Sequence, residues 1–152
     1  MEASSQTNGA RVLTLAPPAM QGSAPVAPIS ETMARLLGAS AVLGIGVIHI
    51  LDAVGTYQST RWIFWAYMAL IAAAVPVALL LLHSASPLVW FAAAGLAAGP
   101  FVGYLWSRAI GLPGDAPDIG NWLCTLGMEA LFVESSLLAL SATRLGIWRR
   151  SR

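Results

Sequence analysis

At 152 residues, 57% hydrophobic and only 10% charged, the chain carries more apolar surface than a soluble domain of this length can hide. A net charge of +1, with no clustered basic face, predicts no nucleic-acid partner. The single cysteine, Cys124, excludes an intrachain disulfide and a cysteine-based metal cluster.

Residues 1–30 are rich in alanine, proline, serine and glycine and show no apolar periodicity. Such a segment buries too little surface to offset its ordering entropy, so a disordered cytoplasmic tail is expected there. Arg11 is its only basic residue, and Val12–Ala16 is too short for a signal-peptide core. The first hydrophobic run is therefore read as a retained transmembrane helix.

Four apolar runs follow, over about 34–54, 62–82, 87–107 and 123–142. A helix rises about 1.5 Å per residue, so each run can cross a hydrocarbon core roughly 30 Å thick. Histidines aside, the runs hold only Arg35, Asp52, Glu129 and Glu134 as charged groups. The expected fold is all-α: an integral-membrane four-helix bundle over 31–146, with a short basic tail over 147–152.

Helix 1 is announced by Ser30-Glu31-Thr32, in which Ser30 or Thr32 can cap and Glu31 suits the positive end of the helix dipole. Helix 2 opens on the aromatic cluster Arg61–Tyr67, suited to the headgroup boundary, and Pro76 is expected to kink it. A short link, His83–Ser86, leads to Pro87 at a first-turn position, so helices 2 and 3 form an antiparallel hairpin. Helix 3 carries Gly95, Gly99 and Gly103 on one face, a pattern that lets backbones approach closely in lipid. Ala34, Gly38, Ala41 and Ile45 give helix 1 a matching small face, which makes helices 1 and 3 the expected close pair. The link from Arg108 to about Trp122 is punctuated by Gly111, Pro113, Gly114, Pro117 and Gly120, which forbid a long helix.

Arginine placement sets an expected orientation. Arg11, Arg35, Arg144, Arg149, Arg150 and Arg152 fall on one side, against Arg61 and Arg108 on the other. The positive-inside rule then places both termini in the cytoplasm of a bacterial inner membrane.

Ionisable groups inside a span are costly, and usually pair or carry function. His49 and Asp52 share a face of helix 1, Arg108 closes helix 3, and Glu129 and Glu134 lie in helix 4, about 140° apart around its axis. These five residues form a candidate intramembrane polar pocket, with His49 and Glu134 deepest. Two readings stand. The pair relays a proton or binds a cation, or the groups serve only structure, with Arg108 on Glu129 or Asp52 and Glu134 on His49 or Ser40. No phosphate loop, nucleophile elbow or zinc-protease motif occurs. His83 sits at the far end of helix 2 from His49, so one metal cannot use both; no cofactor is expected.

The stretch Ser107-Arg108-Ala109-Ile110-Gly111-Leu112-Pro113-Gly114, followed by Gly127 and then Glu134, with His49 late in helix 1 and Trp62 opening helix 2, is distinctive. It resembles a group of small four-span bacterial integral membrane proteins with an SR-x-x-GLP signature after the third span, a histidine in the first span and a glutamate in the fourth. The resemblance covers about 34–145 and implies the fold and the importance of these residues, but no activity. The sequence departs from the group in Glu129 and in its Pro/Ala-rich tail. Within the signature, Gly111 can take the left-handed position that stops helix 3 and Pro113 blocks continuation; the loop then either folds as a lid over the pocket or is a helix stop and nothing more.

Three functions are expected in this order. The first is a non-enzymatic accessory, assembly or sensing component. The second is a small oligomeric transporter or proton/cation-coupled module using Glu134 and His49. The third is a haem- or metal-binding redox protein. The partners expected are the lipid bilayer and either another membrane protein or a second copy of the chain.

Overall fold

A computed structural model describes residues 29–150; of the tail expected to be disordered over 1–30, residues 1–28 lie outside the described part, as do the last two residues of the chain. The regular structure is α1 (Glu31–Ser59), α2 (Arg61–His83), α3 (Pro87–Ala109), a 3-10 turn at Ala116–Asp118, and α4 (Thr125–Arg150), with no strand among the described residues. All four α-helices are long and apolar enough to cross a membrane. The chain is a four-helix membrane bundle of the expected class.

Local chemistry explains the helix limits. The Ser30 hydroxyl accepts from the Met33 amide at 3.2 Å, and the Ser86 hydroxyl accepts from the Leu88 amide at 3.3 Å beside Pro87. Helix α1 runs past Val54 to Ser59, and in its last turns Thr56 and Ser59 satisfy their hydroxyls within the helix, on the carbonyls of Asp52 and Gly55. Only Thr60 then separates α1 from α2. Helix α2 continues unbroken through Pro76 and α3 through Pro100. Gly111, at φ +85°, takes the left-handed position just past the end of α3.

The spans stand in chain order around the bundle. The largest contacts are α1 with α2 and α3 with α4, and α4 closes back on α1. There Arg144 bonds the Glu31 carboxylate at 3.1 Å and the carbonyls of Ile29 and Ser30, so the start of α1 and the end of α4 share a side. At the same end, Arg35 donates from Nε to the Leu81 carbonyl at 2.8 Å and from Nη2 to that of Leu82. Those are terminal carbonyls of α2 that no helical amide can reach.

The pairing of α1 with α3 is a correction. These two are diagonal and touch least of any pair of spans in contact. The small face of α1 does meet α3 at Gly38, but it admits a side chain rather than a backbone. A Cβ on Gly38 would stand 3.0 Å from the indole of Trp90, which is buried. The close helix approach is instead made by α1 and α2, where a Cβ on Gly46 would lie 3.5 Å from that of Ala74. Among the described residues, Gly95, Gly99 and Gly103 seat no neighbour, since a Cβ on any of them would meet nothing within 4 Å. A stripe of small residues serves a backbone or a large side chain equally well, and here the indole took the space.

Trp90 gathers Ala34, Val42, Ile45, Ala78, Leu81, Ala93 and Leu137 into one core. That core fills the half of the bundle nearest the termini. Toward the 110–124 loop the helices leave a cavity.

Gly38→Ala is expected to destabilise the bundle by about 1–3 kcal/mol through overpacking against Trp90. Gly95→Ala is expected to be neutral or mildly stabilising, since alanine is the better helix former. Thermal melts of the two variants in mild detergent check the contrast, and equal losses would contradict the packing described.

Candidate functional site

The cavity has a volume of about 700 Å³ and is lined by all four helices and the loop. Its floor adjoins the core. There Glu134, only 1% exposed, comes from α4, and His49, 6% exposed, from α1. Because α1 extends to Ser59, His49 lies nearly three turns from its end rather than one and a half.

The two floor groups face each other without bonding. His49 Nε2 and Glu134 Oε1 are 4.0 Å apart, beyond hydrogen-bond length. His49 Nδ1 donates to the Ile45 carbonyl at 2.8 Å; since a carbonyl only accepts, the neutral ring presents Nε2 as a lone pair. Neither oxygen of Glu134 has a hydrogen-bond partner. A buried carboxylate in that state is costly, because no protein group replaces the water that burial strips from it.

The wall between floor and mouth is carried by α1 and α2. Asp52 lines the cavity as expected, one turn above His49, and accepts from the Tyr67 hydroxyl at 2.9 Å. The Tyr67 ring meets the His49 ring edge-to-face at 4.7 Å. Tyr67 was hidden in the sequence within the aromatic cluster of helix 2, and only its turn into the bundle separates it from its interfacial neighbours.

At the mouth lies the 110–124 loop. Arg108, 8% exposed, pairs with Asp118, donates to the Ser107 hydroxyl at 3.1 Å and stacks over the Tyr104 ring at 4.7 Å. The Ser107 hydroxyl in turn donates to Asp115 at 2.9 Å. Burial pushes the Asp115 carboxyl above the usual carboxylate range, while the bond from Ser107 works the other way. Across the mouth, Thr60 Oγ1 donates to the Gly114 carbonyl at 3.0 Å and Trp62 Nε1 to that of Pro113 at 2.8 Å. Leu112, Gly114, Asp115, Pro117 and Asp118 thereby face the cavity as a lid.

Two expectations about partners are corrected. Arg108 bonds neither Glu129 nor Asp52, because the loop folds back and brings Asp118 to it first. Glu129 does not belong to the cavity. It is exposed, little more than a turn into α4, where a carboxylate can reach the boundary. The angular separation from Glu134 is real, but only Glu134 turns inward. His83 is exposed at the opposite end of the bundle, its Nδ1 on the Leu79 carbonyl. Among the described residues no three His, Cys, Asp or Glu side chains are grouped to hold a metal ion.

Tyr104 and Gly127 fix the relation of α3 to α4 beside the cavity. The Tyr104 hydroxyl donates to the Trp122 carbonyl at 2.8 Å, and its ring occupies the space that a Cβ on Gly127 would need.

Arg108→Ala, which strips the lid of its ion pair, its bond to Ser107 and its contact with Tyr104, is expected to cost about 2 kcal/mol. Asp118→Asn removes only the more exposed partner and is expected to cost under about 1 kcal/mol. Melting temperatures in detergent check this order.

Comparison with protein-family models, with curated proteins and with solved structures finds no match to this chain.

Proposed function

We propose that this chain is a non-enzymatic membrane protein whose polar cavity receives a small ligand, the bundle acting as a sensing or accessory component. Glu134 carries the proposal. It is a carboxylate 1% exposed that borders a cavity of about 700 Å³, and among the described residues neither of its oxygens finds a hydrogen-bond partner. An ionisable group inside a span is costly and is by default a mark of function. The cavity has the size of a small-molecule site, with an apolar wall and a few convergent polar groups. With the arginine-rich end in the cytoplasm, the cavity opens on the outer face of the cell membrane, beneath the lid.

The 4.0 Å approach of His49 and Glu134 favours one second reading, a proton- or cation-coupled transporter. Uptake by proteoliposomes under an imposed proton gradient, lost in Glu134→Gln, would select it.

Glu134→Leu tests the first reading directly. Replacing an unpaired buried carboxylate by an apolar side chain is expected to stabilise the bundle by about 1–3 kcal/mol. Destabilisation instead would mean that the carboxylate holds the helices together, and the proposal would fall. The single cysteine tests the orientation. Cys124 lines the cavity, so a small membrane-impermeant thiol reagent added to intact cells is expected to label it. Labelling only after the membrane is opened would place the cavity on the cytoplasmic side.

A further inference from the structure

We propose that the cavity takes an amphiphilic amine, its protonated primary or secondary nitrogen seated between Glu134 and His49 and its apolar body along the wall. The inference rests on the ligand-binding reading above and names the chemical class that the site would accept.

Both groups at the floor are acceptors. Glu134 offers two unbonded oxygens, and the neutral His49 ring offers the Nε2 lone pair, because Nδ1 is spent on the Ile45 carbonyl. Two acceptors 4.0 Å apart cannot satisfy each other unless one is protonated and moves closer. A single nitrogen donor standing about 2.9 Å from each satisfies both at once. An ammonium with two or three N–H bonds does so and also supplies the charge that Glu134 lacks; a bond of that kind is about twice as strong as a neutral one.

The rest of the lining selects the same sign of charge. Among the described residues, Asp52, Asp115, Asp118 and Glu134 line the cavity, against Arg108 as the one permanent cation. Arg108 is spent on Asp118. The hydroxyls of Tyr67 and Ser107 relieve Asp52 and Asp115 without neutralising them. An anion therefore meets a repulsive cavity, and a cation meets an attractive one. The Tyr67 ring beside His49 adds an aromatic surface suited to a cation near the floor.

Size and polarity set the remainder of the ligand. Ile48, Ile63, Leu70, Leu126 and Ala130 line the cavity. An apolar body fits there, and a small inorganic cation would leave that surface unused.

The test uses the full chain purified in mild detergent, with 2-phenylethylamine as the probe and two look-alikes. One is 2-phenylethanol, which keeps the shape and loses the charge. The other is phenyltrimethylammonium, which keeps the charge and has no N–H. Titration calorimetry is expected to show the amine binding at least about tenfold more tightly than either. Glu134→Gln is expected to remove that preference. His49→Gln, a second variant should the first fail to fold, is expected to weaken the amine and leave the alcohol unchanged. Equal binding of alcohol and amine would overturn the amine class and leave the ligand cavity standing. Equal binding of the quaternary cation would show that charge alone is read, and would overturn the seat between the two acceptors. Absence of binding by all three, together with destabilisation in Glu134→Leu, would remove the cavity reading as well.

Discussion

Hydrocarbon gives a helix no hydrogen-bonding partner, so each polar group of this bundle must find one inside the chain or reach the boundary. Most features at the terminal side answer that demand. Arg35 reaches across from α1 to the last carbonyls of α2, and Arg144 from α4 to the carbonyls before α1. Ser30 and Ser86 serve the first amides of α1 and α3. The two arginines also tie neighbouring helices together, so at those two places helix capping and helix docking are one operation. The links between spans can then be very short, a single residue from α1 to α2 and three from α2 to α3.

Packing is uneven along the bundle for a related reason. Trp90 is the largest fully buried side chain, and its ring fills the hollow that Gly38 leaves. An indole placed off-centre closes the terminal half and holds α1 and α3 apart as a diagonal pair. The other half has no comparable filler. Gly99, Gly103 and Gly127 contribute little volume there, and the cavity occupies the space between them and α1. Tyr104 takes the gap beside Gly127, which keeps α3 and α4 in register while the cavity stays open.

Much of this was legible in the residues. Span length and composition are strong signals, and all four membrane-capable helices lie where the apolar runs do. His49, Asp52, Arg108 and Glu134 stood out because an ionisable group in an apolar run is rare, and all four line one cavity. Their partners were not legible. Asp115 and Asp118 read as ordinary loop residues until the turn after Gly111 folds them back onto α3. Glu129 and Glu134 could be told apart in angle, but which one faced inward depends on how α4 rolls against α3. The glycine stripe misled for a clear reason: small residues show where space exists, without saying what fills it.

Floor and lid differ in how their polar groups are satisfied, and that difference bears on access. Ser107, Arg108, Asp115 and Asp118 hold the loop to its own helix, as does the bond from the Gly120 amide to the Arg108 carbonyl at 2.9 Å. Among the described residues, only Thr60 and Trp62 hydrogen-bond it across the mouth, through the carbonyls of Gly114 and Pro113. Those two bonds can break while the loop keeps its fold on α3. A hydrogen bond contributes about 0.5–1.5 kcal/mol net, so releasing both costs about 1–3 kcal/mol. An opening of that cost leaves the mouth free a few per cent of the time, to order of magnitude. On the proposed reading, such an opening would admit a ligand to a bundle whose lid rests closed. Glu134 lies at the floor, clear of the Thr60 and Trp62 bonds, so the lid could close again over a bound ligand without any change in the packed half.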